Sequence, residues 1–193
     1  MTEERAIELC VKHRDPAGFE FLVQKYRREA FMHAYGILGN QEDALDACQD
    51  AFARAFVAIP ALPELPAFYP WLYSILRNRC LNLLARKEVS DRFREREEGD
   101  PAFGIDPNDP ASLVQRGEDR ESVRIALEGL EAGHREILTL KYILGHPYEQ
   151  IAGLLDIPRG TVMSRLYHAR LAFRKRYLSI DSGRRPERQK NLT

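Results

Sequence analysis

The sequence predicts an all-α protein: two small helical domains joined by a flexible linker, the C-terminal one a helix-turn-helix (winged-helix-like) DNA-binding domain. Three observations carry this. Apolar residues recur at helical spacing in both halves of the chain, and no window alternates cleanly enough for a strand. Stretch 88–121 has only 8 apolar residues in 34, against 44% apolar residues overall, with three prolines and three glycines; it buries too little surface to offset its ordering entropy. Residues 148–166 read as two short helices around a tight turn. The expected boundaries are therefore 1–87, a linker at 88–121, 122–178, and a tail at 179–193.

In chain order, Asp15-Pro16 is a cap followed by a first-turn proline. Phe19, Leu22, Val23, Tyr26, Ala30 and Ile37 then follow at helical spacing. Gly39-Asn40 stops that helix, and Asn40 caps the next, whose apolar stripe is Ala44, Cys48, Ala51, Phe52, Ala55 and Phe56. Four prolines between Pro60 and Pro70 demand a loop. A third helix runs from about Trp71 to Lys87, with Leu72, Ile75, Leu76, Cys80 and Leu83 inward. Beyond the linker, helices are expected near 121–131, 134–144, 148–155 and 159–177, with Gly145 and Pro147 as punctuation.

Net charge is zero, but it is unevenly spread. Residues 1–50 carry −4, 51–87 carry +4, 88–121 carry −6, 122–178 carry +4 and 179–193 carry +2. Separated basic blocks suit nucleic acid even in a neutral chain. Cys10, Cys48 and Cys80 are too few and too far apart for a disulfide framework or a CxxC metal knuckle. The longest uncharged stretch, Leu65 to Leu76, holds two prolines and falls short of a membrane span, and the acidic N-terminus is not a signal peptide; a cytoplasmic location is expected. His13, His33, His134, His146 and His168 show no ligand spacing such as HExxH, and there is no phosphate-cradling glycine loop or nucleophile elbow. No enzyme activity, cofactor or metal is expected.

The run Tyr148 to Leu166 is the most informative. Ala152 is small enough for two helices to cross closely, and Asp156 tolerates the left-handed turn between them. Ile151, Leu155, Ile157, Val162 and Leu166 supply the shared core, and Pro158 a sharp entry to the second helix. That helix shows Arg159, Thr161, Ser164, Arg165, His168 and Arg170 outside its apolar stripe, short donors first and arginines further along, which suits a major-groove reader.

The run Gly160-Thr161-Val162-Met163-Ser164-Arg165-Leu166-Tyr167-His168-Ala169-Arg170 resembles region 4 of bacterial sigma factors of the extracytoplasmic-function type, as does Arg135-Glu136-Ile137-Leu138-Thr139-Leu140. Independently, Asp43-Ala44-Leu45-Asp46-Ala47-Cys48-Gln49-Asp50-Ala51-Phe52 resembles the acidic region 2 helix that grips RNA polymerase. Phe68-Tyr69-Pro70-Trp71-Leu72-Tyr73-Ser74-Ile75-Leu76-Arg77-Asn78 resembles the promoter-melting segment. Leu45, Gln150, Glu131 and His168 depart from the usual acidic residue, Glu, Pro and Arg at their positions.

The resemblance implies a factor that binds core RNA polymerase, directs it to promoters and assists their opening. Asp43, Asp46, Gln49 and Asp50 would dock on the clamp helices of the largest subunit. Phe68, Tyr69 and Tyr73 would offer stacking surfaces at the minus-ten element, Trp71 either core or a DNA wedge, and Arg77, Asn78, Arg79, Asn82, Arg86 and Lys87 donors, with Asn78 near a captured base. Arg159, Gly160, Thr161, Ser164, Arg165, His168 and Arg170 would read the minus-thirty-five element. The flap region, promoter DNA and an anti-sigma factor complete the expected partners. The linker would thread the RNA-exit path, and the basic tail would add nonspecific DNA contacts or none. A stand-alone helix-turn-helix regulator is the alternative; the acidic helix and melting segment in the first domain weigh against it.

Overall fold

The computed structural model describes residues 1–62, 67–93 and 113–190, with side chains described over 1–62, 67–87 and 120–180. Its elements are α1 (Glu3–Glu8, continuing as a π-helical turn over Leu9–His13), α2 (Pro16–Leu38), α3 (Gln41–Ala58), a 3₁₀ turn (Ile59–Ala61), α4 (Phe68–Phe93), α5 (Leu113–Glu128), α6 (Ala132–Leu138, with a π-helical turn over Thr139–Ile143), α7 (Tyr148–Leu155) and α8 (Arg159–Lys190). No strand occurs among the described residues.

The first domain is α1 to α4. Asp15 caps α2, accepting from the Ala17 N–H at 2.9 Å with Pro16 in the first turn. Gly39 ends it at φ 79°, a left-handed value that costs glycine little, and its N–H bonds back to the Tyr35 carbonyl. Asn40 then caps α3 through the Asp43 N–H at 2.9 Å. Small residues form the buried seam of α3, namely Ala44, Ala47, Cys48, Ala51 and Ala55, and let α2 and α4 approach closely. Into that space α2 sends Leu22 and Ile37, and α4 sends Phe68, Leu72, Tyr73, Leu76 and Cys80. Burying each of the larger chains stabilises the fold by about 1.5–3 kcal/mol. The expected stripe on α3 extended to Phe52 and Phe56; Phe52 is half-buried and Phe56 is 49% exposed.

Helix α1, ahead of the Asp15 cap, is an element beyond those expected from the sequence. Thr2 caps it, and Ala6, Ile7 and Cys10 bury at helical spacing, a signal present in the sequence. The proline loop was expected to reach Pro70, but α4 begins at Phe68, with Pro70 in its first turn, where a missing N–H leaves no bond unmade. Helix reaches into the expected linker from both ends, to Phe93 and from Leu113; residues 94–112 of that linker lie outside the described residues. Likewise α8 runs on to Lys190, through the expected tail, and residues 191–193 are outside the description.

The second domain packs α5 and α7 against α8, around Ile137, Leu140, Ile151, Val162, Leu166 and Ala169. Its turn is as the sequence requires: Asp156 takes φ 53° and ψ 51°, and the Ile157 N–H reaches the Ala152 carbonyl at 3.0 Å. Glu131, where a proline is usual, takes φ −55° and ψ 143°, backbone that proline would also adopt, so this departure requires no rearrangement.

The two domains pack directly on one another. Helix α2 lies against α6 and its π-helical turn, and α4 touches α7. Gly36 marks one close approach: a Cβ there would meet Thr139 Oγ1 at 2.7 Å.

Candidate nucleic-acid interface

The recognition face on α8 is built on its buried stripe. Val162, Leu166 and Ala169 turn inward, and this leaves Arg159, Gly160, Ser164, Arg165, His168 and Arg170 exposed and Thr161 half-buried on the other side. Arg159 pairs with Glu149 at 3.1 Å, both well exposed, and Arg170 donates to the Tyr142 hydroxyl at 3.4 Å. Such exposed contacts are worth little and yield easily to a phosphate or base edge. The sequence-predicted residues thus all lie outside the buried stripe of α8.

The first domain is arranged differently. Phe68, Tyr69 and Tyr73, expected as stacking surfaces, are 0%, 4% and 1% exposed. They form an aromatic core with Phe19, Tyr26 and His33, Tyr26 and Tyr69 stacking at 5.0 Å. Aromatic rings carry large apolar areas, and burying three of them stabilises the domain more than exposing them along α4 would. In this arrangement they are not platforms for bases, and that expectation is corrected. Trp71 is half-buried, edge-on to Phe68 at 5.9 Å.

Polar members of the set are mostly engaged. Arg77 donates to Glu136 of α6 through Nε at 2.8 Å and Nη2 at 3.3 Å, and Tyr73 Oη donates to the same carboxylate at 2.8 Å. Glu136 is only 5% exposed. Burial pulls the Arg77 pKa down, but the Glu136 carboxylate outweighs it and the net direction is up. Burial, with Glu136 beside it, drives the Tyr73 phenol upward. Lys87 forms a short ion pair with Asp43, so one expected DNA contact and one expected polymerase contact neutralise each other. Asp50 does likewise, with Arg54 at 2.9 Å and Arg79 at 2.8 Å. Asn78, Asn82 and Arg86, with Arg54, Arg79 and Ile75, line an open depression of about 440 Å³ that remains available to a ligand. Asp46 and Gln49 are exposed on α3.

Two clusters were not legible in the sequence, because their members are far apart in it. The Arg135 guanidinium, 7% exposed, donates to the Gly36 and Ile37 carbonyls at the end of α2 and to those of Glu128 and Leu130 in its own domain. It satisfies two of the last carbonyls of α2 from the other domain. Burial lowers its pKa. Nearby, Glu29, His33 and His146 meet at the same interface. His33 is 1% exposed; burial, and then His146 beside it, hold its pKa down to about 3. A third feature is an apolar cleft of about 360 Å³ between α5, α6 and α8, lined by Val123, Leu127, Leu138, Tyr142, Ile143 and Phe173.

A helix-turn-helix with a free recognition face, tied to a helical domain bearing an acidic helix and a basic depression, defines a DNA-binding transcription factor of two domains. The comparisons make this specific. Residues 22–89 match the family model for sigma-70 region 2, and residues 120–173 match that for sigma-70 region 4. The chain is 33% identical over 184 residues to the RNA polymerase sigma-H factor of Pseudomonas aeruginosa, covering 91% of this chain and 95% of that protein. It is 32% identical over 180 residues to the extracytoplasmic-function (ECF) RNA polymerase sigma-E factor of Escherichia coli K12, covering 89% and 92%. The sigma factor RpoE of Bartonella quintana, solved with the anti-sigma factor NepR, matches with a TM-score of 0.64 at 25% identity, covering 84% of this chain and 98% of that one. The chain belongs to the sigma-70 family and is a sigma factor of the ECF type: it directs RNA polymerase to promoters. The region 2 match decides against a stand-alone helix-turn-helix regulator.

Proposed function

We propose a division of labour in which the second domain meets promoter DNA first and the first domain acts only after polymerase has drawn the two apart. The observation that carries it is the contrast just described: the α8 face is open, while Arg77 and Tyr73 are held by Glu136 across the domain boundary. Arg159, Thr161, Ser164, Arg165, His168 and Arg170, with Gly160 allowing close backbone approach, contact the minus-thirty-five element. Asp46 and Gln49 make the first contact with the clamp helices of the largest subunit, where charge complementarity sets orientation and encounter rate. Asp43 and Asp50 join them as they exchange Lys87, Arg54 and Arg79 for polymerase residues. The released arginines, with Asn78, Asn82, Arg86 and Lys87, then face the minus-ten strand across the basic depression.

The apolar cleft of region 4 suits the flap region of the polymerase as a docking partner, because contiguous exposed apolar surface marks a protein contact. An anti-sigma factor is a second partner: the Bartonella quintana relative was solved with one. The chain acts by binding rather than by covalent catalysis. Among the described residues no helix is long and apolar enough to cross a membrane. A factor that works with RNA polymerase acts where the polymerase is, in the cytoplasm.

Opening DNA costs roughly a few kcal/mol per unstacked step, more than one depression and one half-buried indole supply. The free chain is therefore expected to bind promoter duplex weakly and not to melt it. With core polymerase, permanganate-reactive thymines should appear near the start site. Asn78→Ala should reduce that reactivity with polymerase binding intact, and Asp46→Arg should reduce polymerase binding itself. Melting by the isolated chain would overturn this reading.

A further inference from the structure

Helix α2 places Glu29 and His33 four residues apart, on one face and next to each other in space. That face is turned toward the second domain, where the chain delivers His146. Gly145 precedes it at φ 73° and turns the backbone; the His146 N–H donates to the Leu140 carbonyl at 3.0 Å, and its own carbonyl accepts from Lys141 at 3.3 Å. The imidazole is thus fixed by its backbone on both sides. One donor atom from each of the three residues lies within 4.8 Å of the others. His33 and His146 are 1% and 7% exposed, with their rings 5.7 Å apart and nearly parallel.

Both imidazoles have unmet bonding capacity. The Nδ1 of His33 forms a short hydrogen bond with the Tyr69 hydroxyl, and its Nε2 is buried with no partner. His146 Nε2 is also buried without a hydrogen bond. Glu29 Oε1 stands 3.2 Å from it without a hydrogen bond between them. Two orphaned ring nitrogens facing one carboxylate in a dry interface are costly to maintain, since each unsatisfied buried group carries a full desolvation penalty.

We propose that Glu29, His33 and His146 are the ligands of a divalent transition-metal ion that bridges the two domains. Two imidazoles and one carboxylate are a donor set for zinc and its neighbours, with a fourth position left for water, and a poor one for the oxygen-seeking magnesium or calcium. Bonds of 2.0–2.1 Å in a tetrahedron bring ligand atoms to about 3.3 Å apart, so the set has to draw in by about 1.5 Å at its widest. The Glu29 carboxylate already stands 3.2 Å from His146 Nε2, so the closure falls on the distances to His33. With a metal on Nε2, the proton of His33 sits on Nδ1 and is donated to the Tyr69 hydroxyl, the outer hydrogen bond that metal-binding histidines generally make.

Because α2 provides two ligands and the chain before α7 the third, the ion holds the domains together. The closed arrangement, in which Glu136 occupies Arg77 and Tyr73, then becomes more populated as metal rises. This second step rests on the sigma-factor mechanism above; the binding site does not.

The test uses the full chain, stripped with chelator and titrated with cobalt(II), whose visible absorption reports a nitrogen- and oxygen-ligated site. One equivalent should give the absorption band, and zinc should displace it. His146→Gln and Glu29→Gln, both at the rim of the cluster and gentler on folding than changes at His33, should each abolish the band. Tyr69→Phe should weaken zinc by about 10–100-fold. His13→Gln, on an exposed surface, should change nothing. No band in the wild-type chain, or a band that survives in the Glu29→Gln/His146→Gln double variant, overturns the site. For the clasp, small-angle scattering should give a smaller radius of gyration with zinc than with chelator; equal radii in a chain that binds cobalt overturn the clasp and leave the site standing.

Discussion

The two domains present the residues proposed to meet DNA in opposite conditions. On α8 the stripe that holds the domain together is narrow, and the polar residues opposite it have little to do but wait for a ligand. On α4 the same helix must fill a core with Phe68, Tyr69 and Tyr73 and also meet its neighbours through Arg77, Arg79 and Lys87. A recognition helix can be read as free from its pattern alone. A melting segment shares residues between core and ligand, and which role prevails depends on what packs against it. The lesson is that the motif residues of region 2 are competed for inside the molecule, by α3 and by the second domain.

Breaking the domain contact should have the largest effect. Arg135→Ala removes four hydrogen bonds from one buried guanidinium and leaves two carbonyls of α2 unpaired against the other domain. Bonds from charged donors are each worth about 1.5–3 kcal/mol but share one side chain here, so a loss of about 3–4 kcal/mol is expected in urea unfolding. A loss under about 1 kcal/mol would mean that the domains do not depend on this contact.

This contact also marks where reading the sequence stops being enough. Helix caps at Asp15 and Asn40, the stop at Gly39, the left-handed Asp156 and the split stripe of α8 are local, and local chemistry fixes them. That Arg159, Ser164, Arg165, His168 and Arg170 lie outside the buried stripe of α8 follows from helical periodicity. The contacts Arg77–Glu136, Lys87–Asp43 and His146–Glu29 join residues far apart in the chain, and no spacing rule reaches them. Burial of Phe68, Tyr69 and Tyr73 was ambiguous for a related reason: an aromatic residue at helical spacing suits a core and a base stack equally well. The unread α1 is of another kind, since Thr2 and the Ala6, Ile7 and Cys10 spacing are visible once sought.

The open side of the comparison is sharpened by Arg165→Ala. It touches no core, so unfolding should shift by less than about 0.5 kcal/mol. Minus-thirty-five binding by the holoenzyme should weaken by about 1–3 kcal/mol, with relaxed preference at one base pair if the guanidinium reads a base edge. Uniform weakening with a salt slope reduced by about one would assign it to phosphate instead.

The closed side is probed more gently by Glu136→Gln. The amide oxygen still accepts from Tyr73 and Arg77 but without charge, so about 1–2 kcal/mol of the domain contact should go. Arg77 is then freer, and the isolated chain should bind single-stranded minus-ten oligonucleotides more tightly, measured by fluorescence anisotropy. Unchanged affinity would show that Glu136 does not hold the α4 surface back.

The smallest effect concerns how α4 itself is anchored. The Glu3 carboxylate accepts from Lys25, from the Tyr26 hydroxyl and, at 3.3 Å, from the Phe68 N–H that opens α4. An anion at that point satisfies one of the helix's free N–H groups and favours its dipole. Burial raises the Glu3 pKa, but the hydrogen bonds from Lys25, Tyr26 and Phe68 outweigh it and the net direction is down. A carboxyl with a folded pKa below its unfolded value binds fewer protons in the folded state. Its stabilisation is therefore full above the unfolded value, near 4.5, and is lost as pH falls through the folded one. Glu3→Gln should lower stability by about 1 kcal/mol at pH 7, and the gap from wild type should close as pH falls below about 4.5. A gap that stays constant from neutral to acid pH would mean that the charge of Glu3 is not what holds the first turn of α4, and that the N-terminal helix contributes only its apolar face.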